Sequence, residues 1–193
     1  MRKDGQKVVI ITAPSGAGKT TITRFLLGRF QGRLSFSVSA TTRPPRSGEK
    51  DGADYHFIDP QRFRELVRED AFLEWEMVYE DRYYGTLRSE VGRIWGLGQA
   101  ALLDVDVKGA LSVKSSHDGP SLSLFIEPPS LEELARRLSK RGTETEDSLR
   151  TRVEKAAYEL TFKDRFDRRI VNDDLQKACE EAASIVEGFL MGE

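Results

Sequence analysis

The chain has 193 residues, with 30 Lys and Arg against 32 Asp and Glu, for a formal net charge of -2. That length supports one sizeable core, or one core with small appended lobes, and the charge balance lacks the basic surplus of nucleic-acid-binding domains. No apolar run is long enough for a secretory leader or a membrane span, and the single cysteine, Cys179, excludes an internal disulfide. The expectation is therefore a cytoplasmic protein with neither a nucleic-acid nor a membrane partner.

Residues 7–12 (KVVIIT) form a β-branched apolar run, the pattern of a strand buried on both faces. Residues 18–30 then place Ile22, Phe25, Leu26, Arg29 and Phe30 at helical spacing. From 37 to 91 the texture changes to loops, tyrosines and charge, which reads as an inserted lobe. AALLDVD (100–106) and SLSLFIE (121–127) return to strand character, while 131–141 and 148–162 read as helices. RIVN (169–172) is a short strand, and a last helix runs from about 175 to 190. Leu175, Ala178, Cys179, Ala182, Val186 and Phe189 share one stripe of that helix, so Cys179 is expected in the core. Trp95, His56 and His117 are expected to be structural or surface residues. This alternation predicts an α/β fold with a mostly parallel sheet flanked by helices.

APSGAGKTT, residues 13–21, fits the phosphate-loop pattern G-x-x-x-x-G-K-[ST] except that Ala13 holds the first glycine position. Ala13 precedes Pro14, which biases it to an extended geometry that alanine adopts without strain. Gly16 and Gly18 allow the backbone through Ser15 and Ala17 to curl its N–H groups toward phosphate oxygens at the start of a helix. Lys19 supplies a cation to the β- and γ-phosphates, and the hydroxyl of Thr20, beside Thr21, can bind Mg²⁺. Such a loop is shared by GTPases, ATPases and kinases, but no N-K-x-D segment for reading guanine in a GTPase is present.

The stretch SVSATTRPPRSGEKDGADYHF, residues 37–57, narrows the choice. Arg43 and Arg46 sit in a proline-bearing loop suited to gripping one dianionic phosphate by bidentate contacts. Tyr55 and Tyr84 (in YYGT) could add phenol hydroxyls. A second phosphate site beside an ATP site suggests a nucleoside monophosphate kinase.

APSGAGKTT, SVSATTRPPRSGEKDGADYHF, FLEW, YYGT, LLDVDVKGA, RGTETEDSLRTR and IVNDDL, in that order, resemble the guanylate kinase family over most of the chain. The resemblance implies a P-loop core (about 1–36, 92–138 and 158–193), a GMP-binding lobe (about 37–91) and a helical lid (about 139–157), together one domain over 7–187. It implies transfer of the γ-phosphoryl group of ATP to GMP, and also to dGMP, with Mg²⁺, as in GMP recycling. Arg43, Arg46, Tyr55 and Tyr84 match the family's GMP-phosphate clamp, and Ser39, Glu74, Thr86 and Asp106 match positions that read guanine. Asp104 matches a position near Mg²⁺ and its waters, and Asn172 one near the ATP base. Arg141 and Arg152, with Arg137 as a further candidate, match lid arginines, so Lys19, Arg43, Arg141 and Arg152 form the expected catalytic set. Lys108 departs from the glutamine that many members carry there. No obligatory protein partner is implied, and self-association stays open. The other functions this sequence admits are a phosphoprotein-binding scaffold module and a kinase for another monophosphate or a phosphorylated sugar.

Overall fold

The structure is a computed structural model in which residues 5–140 and 146–192 are described. Strand β1 (Val8–Thr12) leads through the phosphate loop into α1 (Lys19–Arg29), followed by β2 (Leu34–Phe36). A smaller unit follows: β3 (Ala40–Thr41), β4 (His56–Phe57), α2 (Pro60–Arg68), β5 (Phe72–Tyr79) and β6 (Arg82–Leu87). The chain then returns through α3 (Arg88–Gly96), β7 (Ala100–Asp104), α4 (Val107–Ser116) and β8 (Ser121–Glu127). Helices α5 (Leu131–Ser139) and α6 (Glu146–Leu160), strand β9 (Arg168–Val171) and helix α7 (Leu175–Met191) complete it.

The main sheet has the order β2-β7-β1-β8-β9, and every pairing in it is parallel. Helices must therefore cover both faces, and β1 is buried at all five positions. Its side chains alternate between two cores. Val9 and Ile11 pack with Ile22, Leu26 and Phe30 of the first helix and its end and with Ala178, Ala182 and Val186 of α7. Val8 and Ile10 pack on the opposite face with Val91, Ile94, Val107, Ala110, Val113 and Phe125. Cys179 lies in the first of these cores, as its helical stripe predicts.

The second sheet, β4-β3-β6-β5, lies within the stretch whose texture differs in the sequence. It has its own small core, in which Phe63 of α2 stacks on Phe72 at 4.4 Å and on Tyr83 at 5.0 Å. A fourth apolar cluster joins α5 to α6 through Leu134, Leu138 and Ala156.

Several helices start where a side chain meets an otherwise unpaired backbone N–H. Asp59 accepts from Arg62 N at 2.9 Å with Pro60 in the first turn of α2, and Asp106 accepts from Gly109 N at 2.8 Å at the start of α4. Ser130 and Asp174 do the same for α5 and α7. The sequence pattern carries strand character over 100–106, but β7 ends at Asp104 and Asp106 caps α4, a helix that the pattern does not mark. His117 and Trp95 have structural places at the other end of the sheet. Their rings stack at 5.6 Å, and the Trp95 indole donates to the Lys7 carbonyl at 3.1 Å.

Candidate active site

The carboxyl ends of β1 and β7 open on one side of the main sheet, where parallel α/β sheets bind ligands. A cleft of about 540 Å³ lies there, bounded by the phosphate loop and Asp104 of the core, by Ser39, Arg46, Tyr55, Glu74 and Tyr84 of the smaller unit, and by Arg152 of α6.

Gly16 and Gly18 both have positive φ, +94° and +99°, so the predicted curl of the loop is present. Both are also hemmed in from outside. A Cβ on Gly16 would stand 2.9 Å from Leu138 of α5, and one on Gly18 would stand 2.2 Å from the Asn172 amide nitrogen. Asn172 is buried and its side chain donates to the Ala17 carbonyl at 2.7 Å, while its own carbonyl accepts from Arg137 at 2.9 Å. The expectation put Asn172 near the ATP base. In the structure its amide braces the phosphate loop and fills the space beside Gly18. Arg137 likewise ties α5 to this brace and to Glu133 at 2.8 Å.

The Lys19 ammonium forms an ion pair with Asp104 and donates to the Val105 carbonyl at 3.2 Å. Thr20 and Thr21 are exposed in the first turn of α1. Arg152 donates to the Ser15 hydroxyl at 2.6 Å, so α6 already touches the phosphate loop. Arg141 lies outside the described residues.

Next to Tyr55 of the facing wall, Arg43 is buried, its guanidinium 4.9 Å from the Tyr55 ring centre and 5.6 Å from that of Phe57. Both its terminal nitrogens donate to the Glu49 carboxylate at 2.6 Å, which also accepts from Arg46 N at 2.7 Å. The fork raises the Arg43 pKa further and holds the Glu49 carboxyl down at about 2. Glu49 was missed in the sequence. Its six-residue separation from Arg43 matches neither a helical nor a strand period, and only the fold of the 43–49 loop brings them together. Tyr55 and Tyr84 meet edge to face at 6.0 Å, and burial pushes the Tyr55 phenol up.

Glu74 is 7% exposed and accepts from the Thr86 hydroxyl at 2.6 Å across the β5–β6 pair. Burial, helped by the nearby Asp106 and Glu76 carboxylates, pushes its pKa up to about 7. Desolvation outweighs the Thr86 bond here, so this carboxylate is short of donors. Ser39, Glu74 and Asp106 line the same cleft, and Thr86 reaches it through Glu74.

No group of three or more His, Cys, Asp or Glu side chains that could hold a metal ion occurs among the described residues. Asp104 lies against Lys19 and Thr20 follows Lys19 in the first turn of α1, and one carboxylate and one hydroxyl suit a Mg²⁺ ion carried largely by phosphates and water.

Comparison with known proteins agrees with this geometry. The family model described as guanylate kinase matches residues 5–188. A guanylate kinase of Salinibacter ruber is 49% identical over 185 residues, covering 96% of this chain and 97% of that protein. One from Bacteroides fragilis is 47% identical, covering 95% and 90%. The crystal structure of guanylate kinase from Anaplasma phagocytophilum superposes with a TM-score of 0.75 at 29% identity, over 95% of this chain and 86% of that one. With the paired glycines of the loop, the arginine-bearing wall opposite and these matches, the chain belongs to the guanylate kinase family.

Proposed function

We propose that this protein transfers the γ-phosphoryl group of ATP to GMP, giving ADP and GDP, and that dGMP is also an acceptor. The observation that carries the reading is one cleft with two cationic walls. Lys19 stands on a glycine-curled loop on one side, and Arg46 with the stacked Arg43 stands opposite. Membership of the family supports the reaction, and the geometry supports the roles that follow.

The chemistry needs no general base. The second pKa of a phosphate monoester is about 6, so the acceptor is mainly a dianion at neutral pH and already nucleophilic. The protein's task is to bring two anions into line and to neutralise the charge that spreads over the transferred group. Ser15 to Thr20, apart from Ala17 whose N–H is bonded to Pro14 O, offer backbone N–H groups and Lys19 its ammonium to the ATP phosphates. Asn172 keeps that loop curled through Ala17. Arg43 and Arg46, with Tyr55 and Tyr84, hold the acceptor phosphate. Residues 139–157 act as the lid, and Arg152, with Arg141, approaches the transferred group as the lid closes and excludes water. Thr20 and Asp104 would hold Mg²⁺, directly or through its waters, and the ion would supply positive charge to offset that of the phosphates.

Residues 37–91 form the acceptor lobe. The Glu74 carboxylate, short of donors, fits a base edge with an N–H beside an amino group. Adenine offers an acceptor at that ring position and no 2-amino group, and sites built on such pairing discriminate by roughly 10⁴-fold. A coupled assay with ATP and GMP, dGMP, AMP or UMP tests the reading. Turnover with GMP and dGMP far above AMP and UMP is expected. Absence of turnover with every acceptor would favour a binding module, and preference for AMP or UMP another kinase.

A further inference from the structure

Glu76 lies two positions after Glu74 on β5, so the strand's pleat turns both toward the same side, and both line the cleft. Neither the expected guanine-reading set nor the phosphate clamp uses it. Its Oε2 atom is buried without a hydrogen-bond partner, while Oε1 lies 3.4 Å from the Lys108 ammonium in the first turn of α4. Its carboxyl also lies against that of Asp106, and burial together with that neighbour raises its pKa. A buried carboxylate oxygen with no donor is costly, and such an atom at the wall of a ligand cleft marks a place where a ligand donor completes the arrangement.

We propose that Glu76 is a further specificity-determining residue, accepting one N–H of the 2-amino group of the acceptor base, with Lys108 holding its carboxylate in place. The proposal rests on GMP being the acceptor. Guanine presents three donors on one edge, the N1–H and two amino hydrogens. Glu74 already accepts from Thr86 at one oxygen, and a fork to N1–H and one amino hydrogen then employs both of its oxygens. Asp106 spends one oxygen on the Gly109 N–H. The second amino hydrogen falls to the adjoining Asp106 and Glu76 carboxylates, where Glu76 Oε2 is the buried oxygen with no donor. This also gives Lys108 a role. The exposed Lys108 ammonium fixes the orientation of a side chain that lines the cleft.

Inosine monophosphate lacks only the 2-amino group, so comparing it with GMP isolates the contact. Steady-state kinetics with both acceptors should be measured for the wild type, Glu76→Ala and Glu76→Gln, with folding checked by thermal melting. In Glu76→Ala the ratio of kcat/KM for GMP to that for inosine monophosphate should fall roughly tenfold or more, the cost of leaving a buried donor unpaired. The loss should appear in the KM for GMP and leave the KM for ATP unchanged. Glu76→Gln keeps an acceptor without its charge, so its ratio should fall only about threefold. If Glu76→Ala does not fold, the near-isosteric Gln variant carries the comparison. An unchanged ratio, or equal losses with both acceptors, would overturn the proposal while leaving the reaction intact. A wild type that does not phosphorylate GMP would overturn the proposed function and this inference together.

Discussion

Gly18 and Asn172 are 154 positions apart in sequence yet compete for one small space, and that competition can be measured. An alanine at Gly18 must adopt φ +99° and would place its Cβ 2.2 Å from the Asn172 amide nitrogen. The backbone conformation alone costs about 1–2 kcal/mol for a residue with a side chain. Asn172 must also withdraw, which breaks its 2.7 Å bond to Ala17 O and leaves two buried polar groups unpaired, for about 1–3 kcal/mol more. Gly18→Ala should therefore destabilise by about 2–5 kcal/mol. Asn172→Ala loses the same bond and should cost about 1–3 kcal/mol. In the double variant the bond is lost only once and the clash disappears, so its cost should fall short of the sum by about 1–3 kcal/mol. Equilibrium urea unfolding followed by the fluorescence of the two tryptophans gives all four values. Additivity within about 0.5 kcal/mol would refute the claim that Asn172 braces the loop.

Glu74→Gln should reduce use of GMP sharply, leave ATP binding intact and make the folded protein more stable at pH 8. The Glu74 pKa is raised from 4.5 to about 7, so the folded state holds the extra proton between those values and stability falls as pH rises through that window. The penalty at pH 8 is on the order of 3 kcal/mol, and melting curves of both forms at pH 5 and pH 8 would expose it. An advantage for the Gln variant that is the same at both pH values would contradict the assignment. Arg43→Lys keeps the charge but loses the fork and the stacking on Tyr55 and Phe57. It should raise the KM for GMP by about tenfold or more without altering that for ATP, and a change confined to ATP would place Arg43 wrongly. Arg152→Ala should lower kcat by about a hundredfold or more while GMP affinity, read by calorimetry, stays unchanged.

The parts of this molecule legible in its sequence are those whose logic is local. GAGKT is a contiguous pattern, and β1 and β8 are apolar runs that fit burial on both faces. Three helices escaped the periodicity reading, each for a physical reason. The α4 segment VKGALSVKSS carries a glycine and several serines, and its capping Asp106 was absorbed into the preceding strand. Helix α3 starts after Leu87 with no side-chain cap and has glycine inside and at its end. Helix α2 has a strong Asp-Pro start but is short and sits in loop-rich surroundings. In the site, the paired arginines suggest a phosphate grip from their loop, but the base-edge residues can be named only through resemblance, because spacing does not bring residue 74 to residue 106. The partners that set their chemistry were not legible at all. Glu49 holds Arg43, Asn172 braces Ala17, and Lys108 meets Glu76, all through tertiary contacts.

The most direct test of the two-walled cleft is titration calorimetry of GMP into the protein without ATP, repeated with Arg43→Glu. One molecule of GMP should bind each chain of the wild type, and the charge-reversed variant should bind none. Equal binding to both proteins, or no heat from the correctly folded wild type, would contradict a preformed acceptor site opposite the phosphate loop.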